Sequence, residues 1–231
     1  GKKHFEMMGR GLIDSSLLWF GSRRRIESML ELKGWEHFEH AEAAGKSVIF
    51  HTAHWTGMEF SATAIGFFKT GYGVYNPLKN PVVDALVHRS RTRFGHRLIA
   101  RLDGPRAMIR VLKKREFLYI VSDEDLGERN SEFAPFLGAT KATLAIPARL
   151  AGMTHAVVLP MAPIYDERKK KYITRILPPI EGLGENGPAA DARLLNQPLE
   201  QLVAETPEQY MWTLKLFKTQ PNGENIYAKR G

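Results

Sequence analysis

Short apolar runs alternate with amphipathic stretches along this chain, and the alternation predicts its elements. Residues 47–51 (Ser-Val-Ile-Phe-His) read as a short buried strand, and residues 55–68, rich in small and aromatic side chains, as a helix. Asn80-Pro81 marks a helix start, with proline at the first helical position. That helix runs to about Phe94, with Val83, Leu86 and Val87 on one face. Gly104-Pro105 opens another through Ala107, Met108, Val111 and Leu112. Phe117 to Val121 is a continuous apolar run, typical of a strand covered on both faces. A loop from Ser122 to about Lys141 follows, then a helix near 143–151 and two strands, His155 to Pro160 and Tyr172 to Leu177. The last quarter, Asp191 to Phe217, reads as helical in two pieces, interrupted by Pro198 and restarted at Pro207.

Strand–helix alternation predicts an α/β fold, with a mainly parallel central sheet and helices on both faces. Ligands of such folds sit beyond the carboxyl ends of the strands, which directs attention to the loops after Phe50 and Val121. The chain has 231 residues, 43% apolar and 25% charged, which excludes a disordered protein. With no Pro/Gly/Ser-rich linker, repeat or low-complexity segment, residues 1–231 read as a single domain.

Charge and residue usage narrow the chemistry. A formal charge of +8, from 33 Lys+Arg against 25 Asp+Glu, draws anionic partners: nucleic acid, lipid headgroups or acidic proteins. Simple solubility accounts for it equally well. The absence of cysteine excludes a thiol nucleophile and fits a cytosolic location. No apolar run reaches the roughly 18 residues that a spanning helix needs, and no signal-peptide pattern is present. Leu12, Ile13, Leu17, Leu18, Trp19 and Phe20 cluster just before Arg23, Arg24 and Arg25, which suits an interfacial helix or a first helix packed on the core. The chain opens on Gly rather than Met, so residues upstream are expected.

The most distinctive local feature is His51-Thr-Ala-His54-Trp-Thr-Gly-Met-Glu59. Five residues along one regular helix would separate His54 and Glu59 by about 140°. The pair works if His54 lies in the turn before a helix and Glu59 reaches back from its early turns. The carboxylate then fixes one imidazole nitrogen and leaves the other free as a base. A capping or packed histidine with a surface glutamate is the plainer alternative, and a metal site of His51, His54 and Glu59 is another. Ser122-Asp123-Glu124-Asp125-Leu126-Gly127, followed by Arg129, admits a metal reading or, more simply, helix capping and arginine pairing. Arg89, Arg91 and Arg93 scatter around their helix, so one of them can point into a site as a phosphate or oxyanion donor. Nothing matches a glycine-rich phosphate loop, a Gly-x-Ser-x-Gly elbow or a His-Glu-x-x-His zinc helix.

Taken in order, several segments resemble the late (secondary) acyltransferases of lipid A biosynthesis, relatives of the wider glycerolipid acyltransferases. These segments are Met29 to His37, His54-x4-Glu59, Gly73 to Pro81, Arg91-x-Arg93, Ser122 to Gly127, and Pro207-Glu-Gln-Tyr-Met-Trp212 with Phe217-Lys-Thr219. The resemblance covers nearly the whole chain and implies a glycerolipid-acyltransferase-like fold. By that likeness His54 and Glu59 match a catalytic dyad, and Arg91 an arginine that holds the reacting carbonyl or a substrate phosphate. Asp123, Asp125 and Arg129 match a motif lining the active-site side. The implied donor is an acyl-acyl carrier protein and the implied acceptor a hydroxyl of a lipid A precursor. The work is done on the membrane surface at the cytoplasmic face of the inner membrane, with neither cofactor nor nucleic acid. Such enzymes normally carry an N-terminal anchor helix, which is expected to be missing from this chain. Asn76 stands where an arginine is expected, and His51 has no assigned role.

Without a cysteine or a serine elbow, direct transfer in a ternary complex is expected rather than a covalent acyl-enzyme. Rival readings are a lysophospholipid or glycolipid acceptor, a slow thioesterase, and a non-catalytic basic protein bound to anionic lipid or nucleic acid. The lysophospholipid enzymes usually carry a Pro-Glu-Gly-Thr-like loop that is missing here.

Overall fold

A computed structural model describes residues 1–129, 131–224 and 226–227. The helices are α1 (Lys2–Phe20), α2 (Arg23–Ser28), α3 (Trp35–Ala43), α4 (Met58–Gly66), α5 (Pro81–Thr92), α6 (Gly104–Lys113), α7 (Ile146–Thr154) and α8 (Pro188–Glu205). The strands are β1 (Leu30–Lys33), β2 (Val48–Thr52), β3 (Tyr72–Tyr75), β4 (Arg97–Ala100), β5 (Phe117–Val121), β6 (Ser131–Phe136), β7 (Ala139–Leu144), β8 (Val157–Asp166) and β9 (Lys171–Ile176). Seven of them form one sheet in the order β1-β9-β8-β2-β5-β3-β4, while β6 and β7 pair as a separate hairpin. Every neighbouring pair in the large sheet is parallel except β8 with β9. The expected α/β architecture, mainly parallel and covered by helices on both faces, is the one the chain adopts.

The central strands are buried on both sides because successive side chains of a strand face opposite layers. Ile49, Leu118, Ile120 and Val158 meet Met108, Val111 and Leu112 of α6, Ala148 and Leu150 of α7, and Leu195 of α8. Val48, Phe50, Phe117 and Leu159 turn the other way, against Phe38 of α3 and Ile65 of α4. Helix α1 lies on this second side. Its Met7 and Leu18 join Phe60 of α4, Tyr165 and Tyr172 in a further buried cluster. A Cβ on Gly11 would stand 2.2 Å from the Thr56 carbonyl oxygen, so α1 rests its backbone directly on the loop after β2. The outward side of α1 leaves Phe5, Leu12, Ile13 and Phe20 exposed.

The structure departs from the expected elements in four places. Helix α4 starts only at Met58, because residues 53–57 form the turn that carries His54. The stretch 122–141, expected to be loop, holds β6 and the start of β7. Pro198 sits inside a continuous α8 instead of interrupting it. An interior proline costs about 3 kcal/mol, but Leu195, Leu199, Leu202 and Val203 anchor both halves in the core. After Pro207 only a three-residue 3-10 turn (Pro207–Gln209) forms, not a helix to Phe217. Among the described residues no helix is long and apolar enough to cross a membrane.

Candidate active site

Strands β2 and β5 run side by side, with Thr52 opposite Val121, so their following loops leave one edge of the sheet together. This brings His54 against Asp123. The His54 ring Nδ1 donates to Asp123 Oδ1 at 2.6 Å, and the His54 peptide N–H donates to Asp123 Oδ2 at 3.0 Å. Tyr210, fully buried, donates its hydroxyl to the same Oδ2 at 2.8 Å. The segment carrying Tyr210 is stitched to the histidine loop by Thr56 N–H to Gln209 O (2.9 Å) and Met211 N–H to His54 O (3.0 Å). With Nδ1 committed to a carboxylate, the lone pair falls on Nε2. That atom lies 3.8 Å from Glu124 Oε1.

Electrostatics favour a basic imidazole. Burial pushes the His54 pKa down, but the Asp123 carboxylate, helped by Glu124, outweighs it and holds the group above its ordinary value. Burial pushes the Asp123 carboxyl up. The hydrogen bonds from His54 and Tyr210, with the imidazole's charge, reverse that and keep it below the usual range. Lys141, itself buried, is pushed down to about 8 by burial, against the pull of Asp123 and Asp125.

His54 opens onto a cavity of about 350 Å³ between α4, α5 and the ends of β3 to β5, walled by Met58, Ala62, Val74, Leu78, Val87 and Leu98. Arg91 lines it, gripping Glu59 with Nε (3.0 and 3.2 Å) and Nη2 (2.5 Å). Burial works against the guanidinium charge, but Glu59 raises the Arg91 pKa above its ordinary value. Tyr119 is buried at the cavity wall, its hydroxyl 2.9 Å from Ser61 Oγ.

The residues singled out in the sequence therefore separate into distinct places. The carboxylate at His54 is Asp123, not Glu59. Helix α4 turns Glu59 toward α5, where Arg91 takes it. Asp125 is buried and is not among the residues lining the cavity; it accepts from the Gly127 N–H (3.0 Å) and the Thr219 N–H (2.7 Å) and so ties two loops together. Arg129 is exposed and does not line the cavity. His51 does not converge with His54 and Glu59 on a metal position. Its Nδ1 meets Ser122 Oγ and its Nε2 meets Leu195 O, each at 3.0 Å, and burial holds its pKa down to about 4. Arg93 donates to the carbonyls of Leu18 on α1 and of Gly21 just after it, rather than into the site. Asn76 is at the cavity wall.

Sequence reasoning gave Tyr210 and Lys141 no role, and took Glu124 only as part of the acidic cluster, with no link to His54. Tyr210 lay within the quoted Pro207–Trp212 segment, but no spacing tied it to a carboxylate 87 residues earlier. Replacing it with phenylalanine keeps the ring and removes one bond to a charge, worth roughly 1.5–3 kcal/mol. Tyr210→Phe is expected to cut kcat about tenfold or more. Without the phenol, the Asp123 carboxylate pulls harder on the imidazolium, so the acid limb of the pH–rate profile moves upward. A pH–rate profile unchanged from wild type would mean that the hydroxyl only packs.

Sequence comparison gives the family of the chain. A model of the family described as bacterial lipid A biosynthesis acyltransferase matches residues 2–219. The lipid A biosynthesis acyltransferase of Haemophilus influenzae is 34% identical over 228 residues, which is 97% of this chain and 70% of that protein. The lipid A biosynthesis lauroyltransferase of Escherichia coli is 32% identical over 222 residues, 96% of this chain and 72% of the relative. The myristoyltransferase of the same organism is 33% identical over 207 residues, 89% and 64%. Matched across that span, the chain belongs to the bacterial lipid A biosynthesis acyltransferase family.

Proposed function

We propose that the protein transfers a fatty acyl group from an acyl carrier protein thioester to a hydroxyl of a lipid A precursor, directly and without an acyl-enzyme. The observation that carries this is the His54–Asp123 pair, with Nε2 left free at the mouth of an apolar-walled cavity. Nε2 takes the proton of the acceptor hydroxyl as its oxygen attacks the thioester carbonyl carbon. Asp123 holds the imidazolium that results. Arg91, steadied by Glu59, faces the oxyanion of the tetrahedral intermediate. When the carbon–sulfur bond breaks, the imidazolium returns the proton to the departing thiolate, and the ester is left on the acceptor. The acyl chain lies along Met58, Ala62, Val74 and Leu98. Residues as far apart as His54 and Tyr210 build this site, which supports reading one acyltransferase domain. Incubation with acyl-carrier donors and a lipid A precursor should add one acyl mass to the lipid. A lipid of unchanged mass, with the donor intact, would end the proposal.

The same reading places the protein on the cytoplasmic face of the inner membrane. Phe5, Leu12, Ile13 and Phe20 form an apolar edge on α1, flanked by exposed Lys2, Lys3, Arg24 and Arg25. That combination suits an anionic lipid interface. Each such side chain contributes roughly 1.5–3 kcal/mol when fully buried. Leu12→Ser with Ile13→Ser is therefore expected to weaken sedimentation with phosphatidylglycerol vesicles by about tenfold or more, with the melting temperature kept. Equal sedimentation of variant and parent would remove α1 from the membrane contact.

A further inference from the structure

Helix α6 has a face that the fold does not use. Met108, Val111 and Leu112 are buried against the sheet, while Arg106, Arg110 and Lys113 are exposed. Spacings of four and three put these cations in one row. Among the described residues none of them has an ion-pair partner. Folding gains little from such a row: like charges four apart repel, and Arg106 sits in the first turn, where the helix dipole disfavours a cation. Just before the row, Arg101 lines the rim of the cavity, 4.0 Å from Glu124, and Leu102 is 89% exposed beside it. An exposed leucine next to a row of unpaired cations has the make-up of a protein contact, with an apolar anchor and a charged rim.

We infer that the outer face of α6, with Arg101 and Leu102, docks the acidic carrier protein that presents the acyl thioester. This rests on the donor proposed above. Ten residues make α6 about 15 Å long, so a carrier seated there hands its arm to a cavity rim at the helix's own starting end. The competing occupant, an anionic lipid surface, fits less well. The apolar face of α6 is buried, and the helix covers the sheet face opposite the one on which α1, with its exposed apolar edge, packs. Membrane and carrier then approach from different sides and meet at the cavity.

The test is the triple variant Arg106→Glu/Arg110→Glu/Lys113→Glu. With acyl carrier protein as donor, KM is expected to rise about tenfold or more with kcat within twofold, since charges at such a rim govern encounter. With a small soluble acyl thioester, which has no carrier to dock, both constants should match wild type, and this also certifies the fold. In wild type, added salt should raise KM for the carrier donor and leave the small thioester alone. An unchanged carrier KM in the active triple variant, or a variant whose loss is in vesicle binding instead, overturns the docking face while the proposed reaction stands. A wild-type protein that uses the small thioester but no carrier donor overturns the donor itself, and the docking face with it. If the glutamates prevent folding, the glutamine triple answers the same question through the same two donors.

Discussion

Asp123→Asn is expected to lower kcat/KM by several orders of magnitude, with the fold retained. The asparagine keeps the shape, and its carbonyl oxygen still accepts from Tyr210 and the His54 peptide. Its amide, however, donates toward Nδ1 where the carboxylate accepted, so the ring proton moves to Nε2 and the reactive atom stops being a base. In hydrolases built on the same pair this wrong tautomer costs on the order of 10⁴-fold. The sign of the pH effect follows from the forces on His54. Burial lowers its pKa and Asp123 raises it, so without the carboxylate the acid limb of the residual activity moves to lower pH. Glu59→Gln makes the contrast. It removes the charge held by Arg91, so about a tenfold loss is expected with the acid limb in place. Steady-state profiles of both variants decide the matter. If the Glu59 variant moved the limb and the Asp123 variant did not, Glu59 would be the partner of the working imidazole.

His54→Ala is expected to lose roughly 10²–10⁴-fold in kcat, the usual contribution of a general base. In the proposed mechanism, what remains comes from the cavity and Arg91, which still bind and polarise the thioester. The side chain is 21% exposed and faces the cavity, so its removal opens a space that solvent can reach. Added imidazole should restore part of the rate, which a variant damaged in its packing would not show. Lipid mass spectra report the product, and circular dichroism checks the fold. Near-normal turnover in a folded His54→Ala protein would refute the assignment of the base.

The two central strands were legible because burial on both faces leaves an unbroken apolar signature, as in Phe117 to Val121. Capping made α5 legible too: Asn80 accepts from the N–H groups of Val82 and Val83 just ahead of Pro81. The short strands β1, β3 and β4 were not read, since Leu-Glu-Leu-Lys and Arg-Leu-Ile-Ala are four-residue, partly exposed segments without a clean period. In the site, proximity along the chain misled. Glu59 is five residues from His54, yet the turn after β2 aims it at α5. Asp123 reaches the imidazole because β2 and β5 are neighbours, and pairing between distant strands leaves no trace in local spacing. Arg129 carried a motif-based expectation, but the loop after β5 turns it into solvent.

The histidine loop is pressed from two directions: Gly11 of α1 abuts Thr56, and the stretch Gln209 to Met211 hydrogen-bonds to His54 and Thr56. One contact comes from α1, made before the loop, and the other from the segment that follows α8, made long after it. During synthesis the sheet, with His54 already against Asp123, can assemble before Tyr210 leaves the ribosome, but the loop lacks its second brace until then. The last brace on the base is thus made only after every strand of the sheet, so the site reaches its final form later than the scaffold that carries it.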